Sequence, residues 1–272
     1  MTETARPDRG FAEVNGARLY YEVAGEGHPL VLIHAGIADS RMWDDQFGAF
    51  AQHYRVIRYD VRGFGHSAMP AGPFSHHADL LGLLKFLGVD RTYLVGVSMA
   101  GAISIDFTLA YPAMVDVLVL VESGVSGSKR SDAIVQAWAE IDAAAEAGDL
   151  ARAVELELRM WVDGPMRSPD QVDPAVRERV REMNAHNFTL PTDQGTLQPL
   201  DPPAISRLAE IRVPTLIIVG DQDRPEILTA ADLLAAGIAG AQTVVMRGVA
   251  HVPNMERPQE FNQIVLDFLS KR

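Results

Sequence analysis

The segment with the most chemical content is Tyr93-Leu94-Val95-Gly96-Val97-Ser98-Met99-Ala100-Gly101, where a serine stands between an apolar strand pattern and a helical one. It fits the G-x-S-x-G nucleophile-elbow pattern with alanine in place of the second glycine, and the small neighbours let the chain turn sharply enough to project the hydroxyl. A serine hydroxyl is a poor nucleophile until a base takes its proton, so a histidine and a carboxylate that orients it must lie elsewhere in the chain. His251 is the candidate base, in the loop between the last apolar strand and the last helix. The candidate acid is Asp223, in Gly220-Asp221-Gln222-Asp223 after the penultimate strand. Two alternatives stay open: Glu122, at the end of the strand Val115–Val121, and Asp221, which is better placed to bond the amides of its own turn. Negative charge developing on a substrate oxygen needs two backbone amides: Met99 supplies one, and Gly36, with Ile37 as the alternative, supplies the other from the loop that follows Leu30–Ile33. His34 reads as a brace for that loop.

These residues need strands to place them. Short apolar runs at Leu30–Ile33, Arg55–Tyr59, Tyr93–Val97, Val115–Val121, Thr215–Val219 and Thr243–Met246 alternate with helical patterns at His76–Leu87, Ala100–Ala110, Ile227–Ala236 and Pro258–Leu269. Such alternation implies parallel strands covered by helices on both faces. The opening differs: Phe11–Val14 and Leu19–Val23 flank Asn15-Gly16, a dipeptide suited to a tight hairpin turn. Between Val121 and Thr215 the alternation stops in favour of helices at Ala133–Ala147, Leu150–Val162 and Ala175–Asn187, the last announced by Asp173-Pro174. The organisation is therefore a core over residues 1–123 and 201–272 with a helical cap inserted at 124–200.

Composition narrows the function. The chain has 272 residues with 47% apolar and 22% charged side chains, enough for one large core and unlike a disordered chain. With 36 acidic against 24 basic residues the net charge is −12, a field that repels nucleic acid and anionic membranes. There is no cysteine, which excludes disulfides, thiolate nucleophiles and cysteine-ligated metals. The polar stretch over residues 1–10 reads as a loose tail without a signal sequence, and the expected location is cytoplasmic. No dinucleotide fingerprint, P-loop or zinc-type spacing is present, so neither cofactor nor metal is expected.

The chain order Ser98, Asp223, His251, together with Asp60-Val61-Arg62-Gly63-Phe64-Gly65-His66-Ser67, which is similar to a D-x-R-G-x-G-x-S turn, resembles the α/β-hydrolase superfamily along essentially the whole sequence. The resemblance implies a mostly parallel eight-stranded sheet with an antiparallel N-terminal hairpin and an inserted helical cap, and gives Asp60 and Arg62 a structural role. Within the superfamily the chain is similar to 3-oxoadipate enol-lactone hydrolases and related small esterases, although it reads Ser98-Met99-Ala100-Gly101 where S-x-G-G is usual. The implied activity is hydrolysis of a small-molecule ester or lactone through an acyl-enzyme, with Ile37, Trp138, Met160, Trp161 and Val252 as candidate substrate contacts. The alternatives are carbon–carbon bond hydrolysis or perhydrolysis by the same triad, or a low-turnover binding protein on this fold.

Overall fold

The computed structural model describes residues 8–191 and 195–272. Of the expected N-terminal tail, residues 1–7 lie outside the described residues, and Asp8–Gly10 already belong to the first strand. The strands are β1 (Asp8–Val14), β2 (Ala17–Ala24), β3 (Pro29–Ile33), β4 (Arg55–Tyr59), β5 (Gly72–Phe74), β6 (Thr92–Val97), β7 (Val115–Val121), β8 (Gly195–Leu197), β9 (Thr215–Gly220) and β10 (Gln242–Met246). The helices are α1 (Asp44–Phe50), α2 (His76–Phe86), α3 (Met99–Ala110), α4 (Asp132–Glu146), α5 (Leu150–Glu157), α6 (Pro174–Asn187), α7 (Pro225–Gly237), α8 (Pro253–Glu256) and α9 (Pro258–Leu269).

Eight strands form one sheet in the order β1-β2-β4-β3-β6-β7-β9-β10. The β1–β2 and β2–β4 pairs are antiparallel and all later pairs parallel. The hairpin turn works as its residues require, with Asn15 and Gly16 both at positive φ. Every residue of β6 and β9 is buried, which explains why those strands read as unbroken apolar runs. α9 turns Phe261, Val265, Phe268 and Leu269 inward, while Ile264 is only partly covered. At about 1.5–3 kcal/mol for each buried large side chain, this stripe is enough to anchor the C-terminal helix against α1.

The helical segment between β7 and β9 departs from expectation at one point. A single helix over Leu150–Val162 is the reading from periodicity, whereas α5 ends at Glu157 and the chain continues as a π-helix over Leu158–Asp163. Residue spacing of 3.6 cannot signal the widened turn, because the apolar residues on either side keep their approximate face. Further elements have no counterpart in the pattern: α1, the four-residue α8, and the separate parallel pair β5–β8, whose three-residue strands come from distant parts of the chain.

Candidate active site

β6, β7, β9 and β10 are successive neighbours in the sheet and run parallel, so their C-terminal ends open on one edge. Ser98 follows β6, Glu122 follows β7, Asp223 follows β9 and His251 follows β10. Ligand and catalytic sites of open α/β sheets lie at this edge. β6 and β10 are three strand spacings apart, roughly 14 Å, so the histidine must be carried back across the sheet. Five residues from Met246 to His251 reach at most about 17 Å when extended. The loop is held on that course by Asp221 N–H to Met246 C=O at 3.1 Å and Gln222 N–H to Val249 C=O at 3.0 Å.

The local backbone at Ser98 is strained, with φ +60° and ψ −116°, and α3 starts at the next residue. A serine at positive φ persists only where its surroundings fix it. Close approach does so here: a Cβ at Gly96 would lie 2.4 Å from Ala100 C=O, and one at Gly101 would lie 2.2 Å from Ser123 Oγ. Gly96 and Gly101 are thus the glycines that this turn cannot replace, while Ala100 is accommodated with its side chain fully buried.

His251 Nε2 is 2.6 Å from Ser98 Oγ, and His251 Nδ1 is 2.5 Å from Asp223 Oδ2. Asp223 Oδ1 accepts the Arg224 N–H at 2.7 Å, which fixes the carboxylate plane. Both His251 and Asp223 are buried, and Ser98 is partly exposed. Glu122 also comes to this cluster, with oxygen and nitrogen atoms of Glu122, Asp223 and His251 all within 4.8 Å of one another. Burial, followed by the nearby Asp223 carboxyl, pushes the Glu122 carboxyl well above the ordinary carboxylate range. Asp221 is turned away; its Oδ1 accepts the Gly248 N–H at 2.7 Å and so ties the β9 and β10 loops together.

In the loop after β3, Ala38 N–H bonds Ala35 C=O at 3.1 Å, and the Gly36 and Ile37 amides stand at the centre of that turn. A Cβ at Gly36 would sit 3.6 Å from Met99 Sδ, so the loop and the start of α3 are in contact. His34 Nε2 accepts the Val61 N–H at 2.9 Å, which leaves Nδ1 to donate to Ala35 C=O at 2.8 Å. With both nitrogens on backbone groups, His34 braces the loop. Asp60 likewise serves backbone, accepting from Ser40 N–H at 2.8 Å and His66 N–H at 2.7 Å, and Arg62 pairs with Asp79.

The π-helical segment reaches the histidine directly. The Trp161 ring lies against His251 with centroids 4.3 Å apart and a 36° interplanar angle, and its C=O accepts the His251 N–H at 3.3 Å. Met160 and Val252, next to Trp161 and His251 in the chain, are buried, as is Ile37 in the loop after β3. Trp138 is placed differently: it is 40% exposed on α4, with the Arg130 guanidinium 4.6 Å above its ring. Two features escaped the sequence because they depend on residues with no shared motif. Arg167 pairs with Glu256 at 2.6 Å and also bonds Gly248 C=O and Val162 C=O, while Glu256 accepts the Ala250 N–H. Glu157, at the end of α5, keeps Oε2 buried without a partner among the described residues, and burial raises its carboxyl to about 7.

The chain belongs to the alpha/beta hydrolase family, whose model matches residues 30–264. It is 28% identical to a putative carbamate hydrolase, RutD, of Azorhizobium caulinodans, covering 95% of this chain and 97% of that protein. It is 26% identical to a 2-hydroxy-6-oxo-6-phenylhexa-2,4-dienoate hydrolase of Comamonas testosteroni, covering 93% and 92%. Among solved structures, the enol-lactonase from Burkholderia xenovorans superposes with a TM-score of 0.76 at 25% identity, over 96% of this chain and all of that one. The protein is accordingly a hydrolase, and among the described residues no helix is long and apolar enough to cross a membrane.

Proposed function

We propose that the protein hydrolyses a carboxylic ester or lactone by acyl transfer, with Ser98 as nucleophile, His251 as general base and Asp223 as the carboxylate that orients the base. The observation that carries this reading is the unbroken path Asp223 Oδ2, His251 Nδ1, His251 Nε2, Ser98 Oγ, with links of 2.5 and 2.6 Å. With Nδ1–H donating to Asp223, Nε2 is free to accept the Ser98 proton as Oγ adds to the acyl carbon. The Met99 amide at the start of α3 and the Gly36 amide, with Ile37 as the alternative, hold the oxyanion. The protonated His251 then gives its proton to the leaving alkoxide, leaving an acyl-Ser98. A water, deprotonated by Nε2, adds to that acyl carbon, and the collapse returns the proton to Ser98 and releases the acid.

In this reading residues 124–200 form the cap over the strand ends, with Trp161, Met160, Val252 and Ile37 walling an apolar acyl site. The Burkholderia enol-lactonase supports a lactone or ester, and the carbamate hydrolase name is compatible with the same attack on an acyl carbon. The Comamonas dienoate hydrolase favours a second reading, in which the same residues cleave a carbon–carbon bond of a dienoate ketone. Ser98→Ala is expected to reduce hydrolysis of p-nitrophenyl butyrate by at least about 10⁴-fold with the melting temperature retained. Undiminished turnover in that variant would remove Ser98 from the mechanism. Product analysis with a lactone, a matched linear ester and a dienoate ketone separates the two readings.

A further inference from the structure

Glu122 is a buried carboxyl that the mechanism above does not use. It follows β7 with φ +46°, a left-handed conformation that a side chain with a Cβ rarely adopts, and it is 1% exposed. Its backbone N–H bonds Ile218 C=O at 3.0 Å, and Oε1 accepts the Gly220 N–H at 2.5 Å, so β9 fixes where the carboxyl points. Oε2 is buried without a donor among the described residues, and the carboxyl faces that of Asp223.

The charges around the pair are few. Asp223 stands on the loop after β9 and spends Oδ2 on His251 and Oδ1 on the Arg224 N–H. Glu256, on α8, also faces Glu122, but its charge is met by Arg167. No basic side chain pairs with Glu122 among the described residues, and His251 is already engaged by Asp223. Two carboxylates enclosed together with a single imidazole cannot both stay ionised, because like charges at this range in a dry site repel by more than solvation returns. One of them holds a proton. Asp223 has donors on both oxygens, whereas Glu122 has an oxygen with none, so the proton belongs on Glu122 Oε2.

We propose that Glu122 is a positioning residue, held as a neutral acid whose O–H donates to the Asp223 carboxylate and so sets the angle at which that carboxylate meets His251. Glu122 is then a third anchor on Asp223, beside the Arg224 amide and the imidazole, and not a second triad acid. The kinetic part of this inference rests on the triad reading; the protonation state does not.

Difference infrared spectra of wild type and Glu122→Gln at pH 7 should show the carbonyl stretch of one protonated carboxylic acid in the wild type that the variant lacks. Other neutral carboxyls cancel in the subtraction. No such band would overturn the proposal. In kinetics, Glu122→Ala should lower kcat by about 10- to 100-fold with KM little changed, since a carboxylate set loose by about an ångström loses that much. Glu122→Gln, whose amide accepts from Gly220 and donates to Asp223, should restore kcat to within about threefold of wild type and keep activity as pH rises, where the wild type falls once Glu122 ionises beside Asp223. A Glu122→Gln enzyme as damaged as Asp223→Asn would mean that the Glu122 charge itself orients the base, and would overturn the proposal. So would an Ala variant that is folded and unimpaired. Should Ser98→Ala retain turnover, the triad reading fails while the infrared band still decides the state of Glu122.

Discussion

The sheet edge and the helical segment that meets it at Trp161 differ in what holds them beyond apolar packing. At the edge, Ser98 follows a strand with every residue buried, and its strained backbone is fixed by contacts of Gly96 and Gly101 with neighbouring atoms. The helical segment packs through Leu158, Trp161, Val162 and Val180 but adds ion pairs: Arg167 reaches Glu256 outside the segment, and within it Arg177 pairs with Asp163 at 2.7 Å and Glu155 at 3.0 Å. Its helix α4 leaves Val135 and Trp138 exposed. Packing specifies a position to a fraction of an ångström, because an interior without voids resists any added atom. Ion pairs define orientation but respond to pH and to the loss of one partner. The difference suits the proposed division of labour, in which the edge carries the reacting groups and the segment shapes what reaches them.

The comparison is tested most severely at Gly101. Gly101→Val puts a branched side chain where a Cβ alone would be 2.2 Å from Ser123 Oγ, and is expected to destabilise the fold by about 3 kcal/mol or more, read as a loss of denaturation midpoint. A folded Gly101→Val protein of normal stability would show that the elbow is not set by packing.

Arg167→Met strands Glu256 with a buried charge and should cost about 3 kcal/mol. Pairing it with Glu256→Gln should recover a large part of that loss. The same single variant should raise KM or lower kcat, because Arg167 also bonds Gly248 C=O and Glu256 holds the Ala250 amide beside His251. Additivity of the two substitutions in a double-mutant cycle would show that the pair does not couple the segment to the loop.

The smallest expected effects have opposite signs on a helix outside the segment and within the segment. His76, at the start of α2, is pushed down to about 4 by burial, against Asp79, which favours its charge. The folded state therefore binds fewer protons than the unfolded one between about 4 and 6.5, and stability falls as pH drops through that window. His76→Gln should reduce the loss of stability between pH 7 and 5 by up to about 2 kcal/mol. Glu157, in the helical segment, is raised to about 7 by burial, so the folded state binds more protons and stability falls as pH rises from about 4.5 to 7. Glu157→Gln should raise the melting temperature at pH 8 and leave it nearly unchanged at pH 5. A uniform shift at both pH values would show that the Glu157 carboxyl does not titrate there.

Much of the frame was legible beforehand because its signals are local. β4, β7 and α9 begin and end where their apolar patterns do, and Asp173 caps α6 by accepting the Ala175 N–H at 2.8 Å. The π-helix, α1 and the β5–β8 pair were not legible, since a one-residue widening or a three-residue pairing changes no periodicity. The sequence also left Asp223, Glu122 and Asp221 open as acids. Their hydrogen bonds differ by partners that are distant in the chain: His251 for Asp223, Gly220 for Glu122 and Gly248 for Asp221.

By itself, then, the order of residues determined the strands of the main sheet, the elbow and the candidate nucleophile and base, because hydrophobic period and turn chemistry act over a few neighbouring positions. Only the tertiary structure decided which carboxyl meets the imidazole, that a second one lies buried beside it, and that Trp161 covers the ring. Those outcomes depend on which strand ends become neighbours, and on the desolvation their meeting imposes, neither of which any short stretch of chain contains.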